Sequence, residues 1–546
     1  MNRVLTWLFG AALLLSFIQP IANNDLGFHL RTGQAILESG HLPEGDVYSH
    51  TAPGAPYVDQ EWLTQLLFHA VETSPFGTDG VAVLCAAAAA GTFLLLLRIM
   101  PGPFLLNLAI LLLVTPLAQS HFHARPHVLG WLLIAVLLHF QVRGPAWRIP
   151  ILLALWANLH ASFALGVVLA AFHFLERRQF AWLAASLLAP LLNPYGWHLY
   201  GFLLMLKDLP LDMIREFEPY APLTGYFWVW TAYTGALLAG LALRFRKEGQ
   251  CPAWEVLPAA GLGILGFTGA RYAPVAAFCL APLQSRLWAP WNPALTGGLG
   301  RAVAAGLAAV TVTLATLMAC LGGAGRLGID AERLPVGATA FLLGSPLEGP
   351  LYNAYDYGGY LIWKAWPRFP VFVDGRMDVY RGAPLADYRA ISRADPGWEA
   401  IAARRGVRCF LVDLEHPIAP TLCFHPDWEP VYYDHNALVY VRKGDWPELP
   451  RIGLTVERLF YALHRQREAA ARMDKDQAGA QVAELQRFLA GNDGVYIAHK
   501  RLAFLYYRQG DLEGARSEMA RYLALFPKGA STPESREMRY RLGMGG

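Results

Sequence analysis

"LTWLFGAALLLSFIQPIANNDLGFHLRTGQ", Leu5–Gln34, sets an apolar run directly against Asp25, His29 and Arg31. A bilayer crossing takes about 20 mostly apolar residues. Charged groups beside lipid are costly and usually mark a cavity or a partner. The single Arg3 ahead of the run also fits a signal peptide cleaved after Ala22. Because long apolar runs continue beyond it, an uncleaved first span is the expectation.

The same logic extends along the chain. Of 546 residues, 55% are hydrophobic and only 16% charged, against about 25% charged in soluble domains. The shortage is confined to 1–325; residues 326–546 have an ordinary soluble composition. The fold expected is a polytopic α-helical membrane domain over 1–325, with a long first outer loop at 23–75. A small extracytoplasmic α/β domain over 331–446 and a helical domain over 453–546 follow. A net charge of +3 without any basic tract excludes nucleic acid as a partner.

The expected spans are 4–22, 78–98, 103–119, 125–142, 150–174, 180–206, 223–243, 254–268, 270–289 and 301–322, about ten to twelve membrane helices once the broken runs are divided. Arg and Lys concentrate in "RIMPGP", "QVRGPAWR", "LERRQF", "RFRKEGQ" and "QSRLW", which the positive-inside rule assigns to the cytoplasm. Run 150–174 has basic flanks at both ends yet is too short to cross twice. Its polar centre, "WANLHAS", therefore predicts two half-helices turning within the membrane, where protein or a wet cavity must satisfy the backbone. "NPYGW" interrupts 180–206 in the same way. The N-terminus then lies inside and the C-terminal domains outside.

In the soluble part, "PLYNAY", "PVFVDG", "RCFLVD" and "ALVYVR" read as strands, and "GGYLIWKAW" and "PLADYRAISRADPGWEAIAARRG" as helices. "YIAHKRLAFLYYRQGDLEGARSEMARYLALFP" looks like one tetratricopeptide repeat, and residues 456–490 are expected to supply its neighbours. Six cysteines are scattered. Cys409 and Cys423 either form a disulfide in an oxidising compartment or remain two thiols.

Polar residues collect on the outer side. The first loop carries Asp25, His29, Arg31, Asp46, His50, Asp59 and Glu61; the second is "SHFHARPH", with His121, His123, Arg125 and His127. Asn158 and His160 lie in the first break, and Arg215, Glu216, Glu218, Arg271 and Tyr272 come later. Singly, each can be a solvated end, a snorkelling cation or a satisfied histidine. Together they point to one polar pocket. His121, His123 and His127 match no strong zinc spacing, so no metal ligands are assigned. Carboxylates can accept a proton from an attacking hydroxyl, while arginine forks fit phosphate oxygens. A lipid phosphate would lie at that level.

These features resemble the GT-C glycosyltransferases, which include the protein O-mannosyltransferases and the aminoarabinose transferases of lipid A. More narrowly, "DLGFHLRTGQAILESGHLPEGDVYSHT", "YVDQEWL", "ARPHVLGWLL", "LWANLHASFALG", "NPYGWHLY" and "YGGYLIWKAWPRFPVFVDGRMDVY" are similar to a bacterial subgroup of that superfamily, over about 1–445, with the tetratricopeptide-like tail as an addition. The resemblance implies transfer of a sugar from a polyprenyl-phosphate or -diphosphate carrier on the outer face. Asp25 matches the acid after the first span and is the candidate general base. His29, Arg31, Asp46, Asp59, Glu61, His121, His123, Arg125, His160 and Arg271 are the expected substrate and phosphate contacts. No Asp-X-Asp pair occurs in the second outer loop; no cofactor is expected, and a divalent metal is the disfavoured option. Asp374, Arg376 and Asp378 of "VFVDGRMDVY" either cap the pocket or form an Asp–Gly turn whose Arg–Asp pair holds the fold.

Two other classes remain open. A transporter or flippase of a lipid-linked or anionic substrate would use the broken helices as a midplane site. A non-catalytic assembly factor would recruit a protein through 453–546. In every case the expected location is the bacterial inner membrane.

Overall fold

Helices occupy each expected apolar run as far as Trp288. The computed structural model describes residues 2–205, 217–222, 224–291, 327–413, 416–449, 496–525 and 538–544, with isolated positions at 306 and within 482–489. The expected span 301–322, Arg215, Glu216 and most of 453–495 lie outside the described residues. The chain forms two units, Met1–Gly45 with Pro56–Asp330 and Asp46–Ala55 with Ala331–Gly546.

The first unit begins with α1 (Asn2–Phe17), α2 (Asp25–Ser39), α3 (Trp62–Glu72), α4 (Gly77–Ile99), α5 (Phe104–Ser120) and α6 (Pro126–Arg143). It continues through α7 (Arg148–Trp156), α8 (Phe163–Glu176), α9 (Phe180–Leu188), α10 (His198–Met205), α11 (Gly225–Glu248), α12 (Ala253–Thr268) and α13 (Tyr272–Trp288). Local chemistry sets the ends. Pro126 opens α6, where its missing N–H costs nothing. Gly40 closes α2 with φ 74°, its N–H reaching the Ile36 carbonyl, a left-handed cap that glycine adopts without strain.

Among the described residues, α4, α6 and α11 are long and apolar enough to cross a membrane by length and composition; α5, α8 and α12 are shorter apolar helices. Phe93 of α4 is fully buried, and the rings of Phe9, Phe17 and Phe278 pack on it from α1 and α13. The edge-to-face pairs of Phe93 with Phe9 and Phe278 are each worth about 0.5–1.5 kcal/mol beyond area burial.

Both predicted breaks are present. Residues 157–162 separate α7 from α8, and 193–197 separate a short 3-10 turn, Ala189–Leu192, from α10. Their backbone groups find protein partners. Asn193 Nδ2 donates to the Ala157 carbonyl at 2.8 Å. Leu63 N–H donates to the Asn158 carbonyl at 3.2 Å, and Thr64 Oγ1 to the Leu159 carbonyl at 2.7 Å. A helix broken between apolar halves needs such donors, since lipid supplies none.

The second unit carries a four-stranded sheet of β1 (Leu351–Asn353), β2 (Cys409–Asp413), β3 (Trp428–Tyr433) and β4 (Ala437–Arg442), in the order β1-β2-β4-β3. β1 runs parallel to β2; the other pairs are antiparallel. Helices Gly358–Lys364, Ala383–Ser392 and Trp398–Arg404 fall where predicted. Further along, Tyr496–Gln509 and Leu512–Leu525 are two helices joined at Gly510, whose φ is 86°. Ala503, Ala515, Met519 and Tyr522 form the core between them. Cys409 is a buried free thiol, which burial pushes up to about 12.

Two strand readings are corrected. "PVFVDG" forms no strand; it makes one isolated bridge, Val371 to Ser49. The Asn353 side chain takes over the missing ladder, accepting from Phe372 N–H at 2.8 Å and donating to the Val373 carbonyl at 2.8 Å. Conversely, β3 is a strand not anticipated. Pro430 and a register shift between Pro430 and Tyr432 interrupt its pattern, which an edge strand tolerates.

Candidate functional site

Asp25 opens α2, where a negative charge favours the helix N-terminus. Its N–H donates to Asn23 Oδ1 at 2.6 Å. Arg125 Nη2 lies 2.9 Å from Asp25 Oδ2 and donates to Asn24 Oδ1 at 3.0 Å. The guanidinium thus holds two consecutive residues, Asn24 and Asp25, at the start of α2. Arg125 is presented just ahead of Pro126, by a turn in which its N–H donates to the His123 carbonyl at 2.8 Å. His127 Nε2 meets the His121 carbonyl at 3.0 Å, and the His121 ring packs on Tyr220. His121 and His123 therefore help build the turn that carries Arg125.

A second centre surrounds Glu61, immediately before α3. His29 Nε2 from α2 lies 3.6 Å from Glu61 Oε2, and His160 Nε2 from the first break lies 3.4 Å from Oε1. Ser162 N–H donates to His160 Nδ1 at 3.0 Å, which leaves Nε2 as the ring's N–H in the neutral imidazole. Asp59 is fully buried; its Oδ1 accepts from Gln65 Nε2 at 2.7 Å and from the Tyr57 hydroxyl at 3.3 Å. Gln65 also comes within 3.5 Å of His29 Nδ1.

These charges act on one another. Burial pushes the Glu61 carboxyl up to about 8, and the neighbouring carboxylates of Asp59 and Asp25 push in the same direction. Arg271 and Arg125 oppose them. Five ionisable groups from four separated segments therefore share one electrostatic neighbourhood. Arg271, just ahead of α13, also sits over the Phe217 ring at 4.4 Å.

Of the residues singled out in the sequence, the structure brings together Asp25, His29, Asp59, Glu61, Arg125, His160 and Arg271. Arg31 lies along α2, donating to Gln34 Oε1 at 2.7 Å. Asp46 belongs to the second unit, where its Oδ1 lies 2.7 Å from Arg376 Nη2. Asp374 holds the same guanidinium, at 2.6 Å through Oδ2 and 2.8 Å through Oδ1. The Arg–Asp pair of "VFVDGRMDVY" is thus buried structure.

Gln65 was not anticipated. Its signal is modest: a lone amide in the otherwise apolar turn "TQLLF". Among the described residues, no group of three His, Cys, Asp or Glu side chains is arranged to hold a metal ion.

The contact between α2 and α3 sets the spacing of the site. A Cβ on Gly33 would lie 2.2 Å from the Gln65 carbonyl oxygen and 2.9 Å from His69 Cβ. Gly33→Ala is expected to force the two helices apart at a cost of about 1–3 kcal/mol. It would also separate His29 from Glu61. A melting curve unchanged from the parent chain would contradict this account.

No family model matches the sequence, and comparison with curated proteins returns no match either. Solved structures do match. The archaeal oligosaccharyltransferase AglB of Archaeoglobus fulgidus, in complex with an inhibitory peptide and a dolichol-phosphate, aligns over 97% of this chain and 86% of its own, with TM-score 0.50 and 11% identity. The apo A. fulgidus enzyme aligns over 85% of this chain and 78% of its own, with TM-score 0.49 and 11% identity. The form tethered to an acceptor peptide containing the NVT sequon covers 85% and 77%, at TM-score 0.49 and 13% identity. At this identity the likeness is one of fold: the chain shares the fold of this archaeal membrane protein.

Proposed function

We propose that the protein transfers a sugar from a polyprenyl-phosphate or -diphosphate carrier to an acceptor on the extracytoplasmic face of the bacterial inner membrane. The observation that carries this reading is the Asp25–Arg125 pair, 2.9 Å apart, set among Asp59, Glu61 and Arg271 in a chain that shares the fold of AglB. The dolichol-phosphate and peptide bound by AglB favour a lipid-phosphate donor over transport.

In this scheme the donor phosphate competes for the Arg125 fork, since guanidinium and phosphate oxygens pair bidentately. That frees the Asp25 carboxylate. The acceptor's nucleophilic atom bonds to the anomeric carbon as the carbon–oxygen bond to the carrier phosphate breaks. The bonding pair leaves on the phosphate oxygen, and the acceptor's proton passes to Asp25. Arg125 and Arg271 hold the phosphate, with the polar residues around Glu61 beside them. The helical tail would recruit a protein partner, and no cofactor is required.

The direct test uses proteoliposomes of the full chain, a series of polyprenyl-phosphate and -diphosphate donors carrying labelled sugars, and an envelope extract as acceptor. Label is expected to leave the lipid carrier for the acceptor fraction with at least one donor. No turnover across the whole series would sink the reading.

A further inference from the structure

The Glu61 centre has a property that phosphate binding alone does not demand. Asp25 and Asp59 act electrostatically on Glu61, with Arg125 and Arg271 as the opposing cations. With Glu61 ionised, these groups carry three negative charges against two positive; with Glu61 protonated, they balance. The imidazoles of His29, from α2, and His160, from the break, also face Glu61. Asp59 is braced by Gln65 and Tyr57. An incoming phosphodiester adds one more negative charge to this neighbourhood.

Resting on the donor assignment above, we propose that Glu61 couples donor binding to a proton: the site takes an anionic lipid phosphodiester with Glu61 protonated and rejects it with Glu61 ionised. The flanking imidazoles let the carboxyl exist in both forms. His160 offers its Nε2–H to a carboxylate oxygen, and His29 Nε2 can donate to the carboxylate or, in the other tautomer, accept from the acid. The sign follows from the charges. The free site holds Glu61 protonated below about pH 8 and ionised above it. Binding that prefers the protonated form is therefore full on the acid side and falls as pH rises through that value.

The test measures binding of farnesyl methyl phosphate to the full chain in detergent between about pH 7 and pH 9. This phosphodiester remains a monoanion throughout, so its own titration does not intrude. The parent chain is expected to lose affinity roughly fivefold from about pH 8 to pH 9. Glu61→Gln, permanently neutral, is expected to bind with nearly constant affinity. Calorimetry of the parent chain in buffers of different ionisation enthalpy supplies a second readout, independent of the variant. At about pH 9 it should register uptake of close to one proton per ligand. Affinity indifferent to pH, no proton uptake, or the same pH dependence in Glu61→Gln would overturn the coupling while leaving the donor assignment standing. No binding at any pH would overturn both.

Discussion

Asp25→Asn is expected to lower sugar transfer by roughly a hundred- to ten-thousand-fold, the usual contribution of a positioned general base. The substitution preserves the shape of the side chain and removes its charge and its proton affinity. Little structure should be lost with it. An acid in a helix's first turn contributes about 0.3–1 kcal/mol, and Asn24 remains to accept from Arg125 at 3.0 Å. Yield, membrane insertion and melting should therefore stay near those of the parent chain. Donor binding should persist or tighten, because Arg125 no longer has a carboxylate competing with phosphate. Comparing turnover at equal reconstituted amounts, with donor binding measured alongside, separates chemistry from affinity. Undiminished transfer by the variant would take Asp25 out of the mechanism.

The second large effect is on stability. Arg376→Met should destabilise the second unit by about 3–5 kcal/mol, the range for removing one member of a buried ion pair. Arg376 and Asp46 have side chains only 2% and 0% exposed. Removing the guanidinium strands the carboxylates of Asp46 and Asp374 together. The Tyr380 hydroxyl also donates to Asp374 but brings no charge. Adding Asp46→Asn and Asp374→Asn to Arg376→Met should recover much of the loss, because the neutral set no longer buries unbalanced charge. Denaturation of the full chain, followed by proteolysis within 331–446, reads this unit. A shift below about 1 kcal/mol would mean the cluster is not buried as described.

Part of this architecture was readable in the residues. The break at "WANLHAS" followed from length and charge: a run with basic flanks and a polar centre cannot be one ordinary span. The strands RCFLVD and ALVYVR were plain because their ladders are regular and buried. "PVFVDG" misled because its composition is that of a strand, whereas its neighbour offers one bridge and an asparagine side chain. β3 was hidden by Pro430, since a local pattern does not reveal which strand lies at an edge. In the site, the approach of Asp25 to Arg125 matched the grouping by outer loops. The meeting of His29 and His160 on Glu61 depends on how closely α2 packs on α3 and where the broken helix docks, and spacing along the chain encodes neither. The same limit applies to Asp46, which lies in the first loop by sequence and in the second unit by contacts.

That last placement matters for any attempt to dissect the protein. Asp46–Ala55 is closed at its base, with Asp46 N–H donating to the Ala55 carbonyl at 2.9 Å. It contributes Ser49, Thr51 and the Asp46 carboxylate to a unit otherwise built from Ala331 onward. A fragment cloned from Ala331 would omit a piece of its own interior and expose apolar surface that the full chain covers. During synthesis the early peptide must wait, unpartnered, until the late half emerges from the ribosome. Grafting 46–55 onto the fragment through a short linker is the rational route to an isolated second unit.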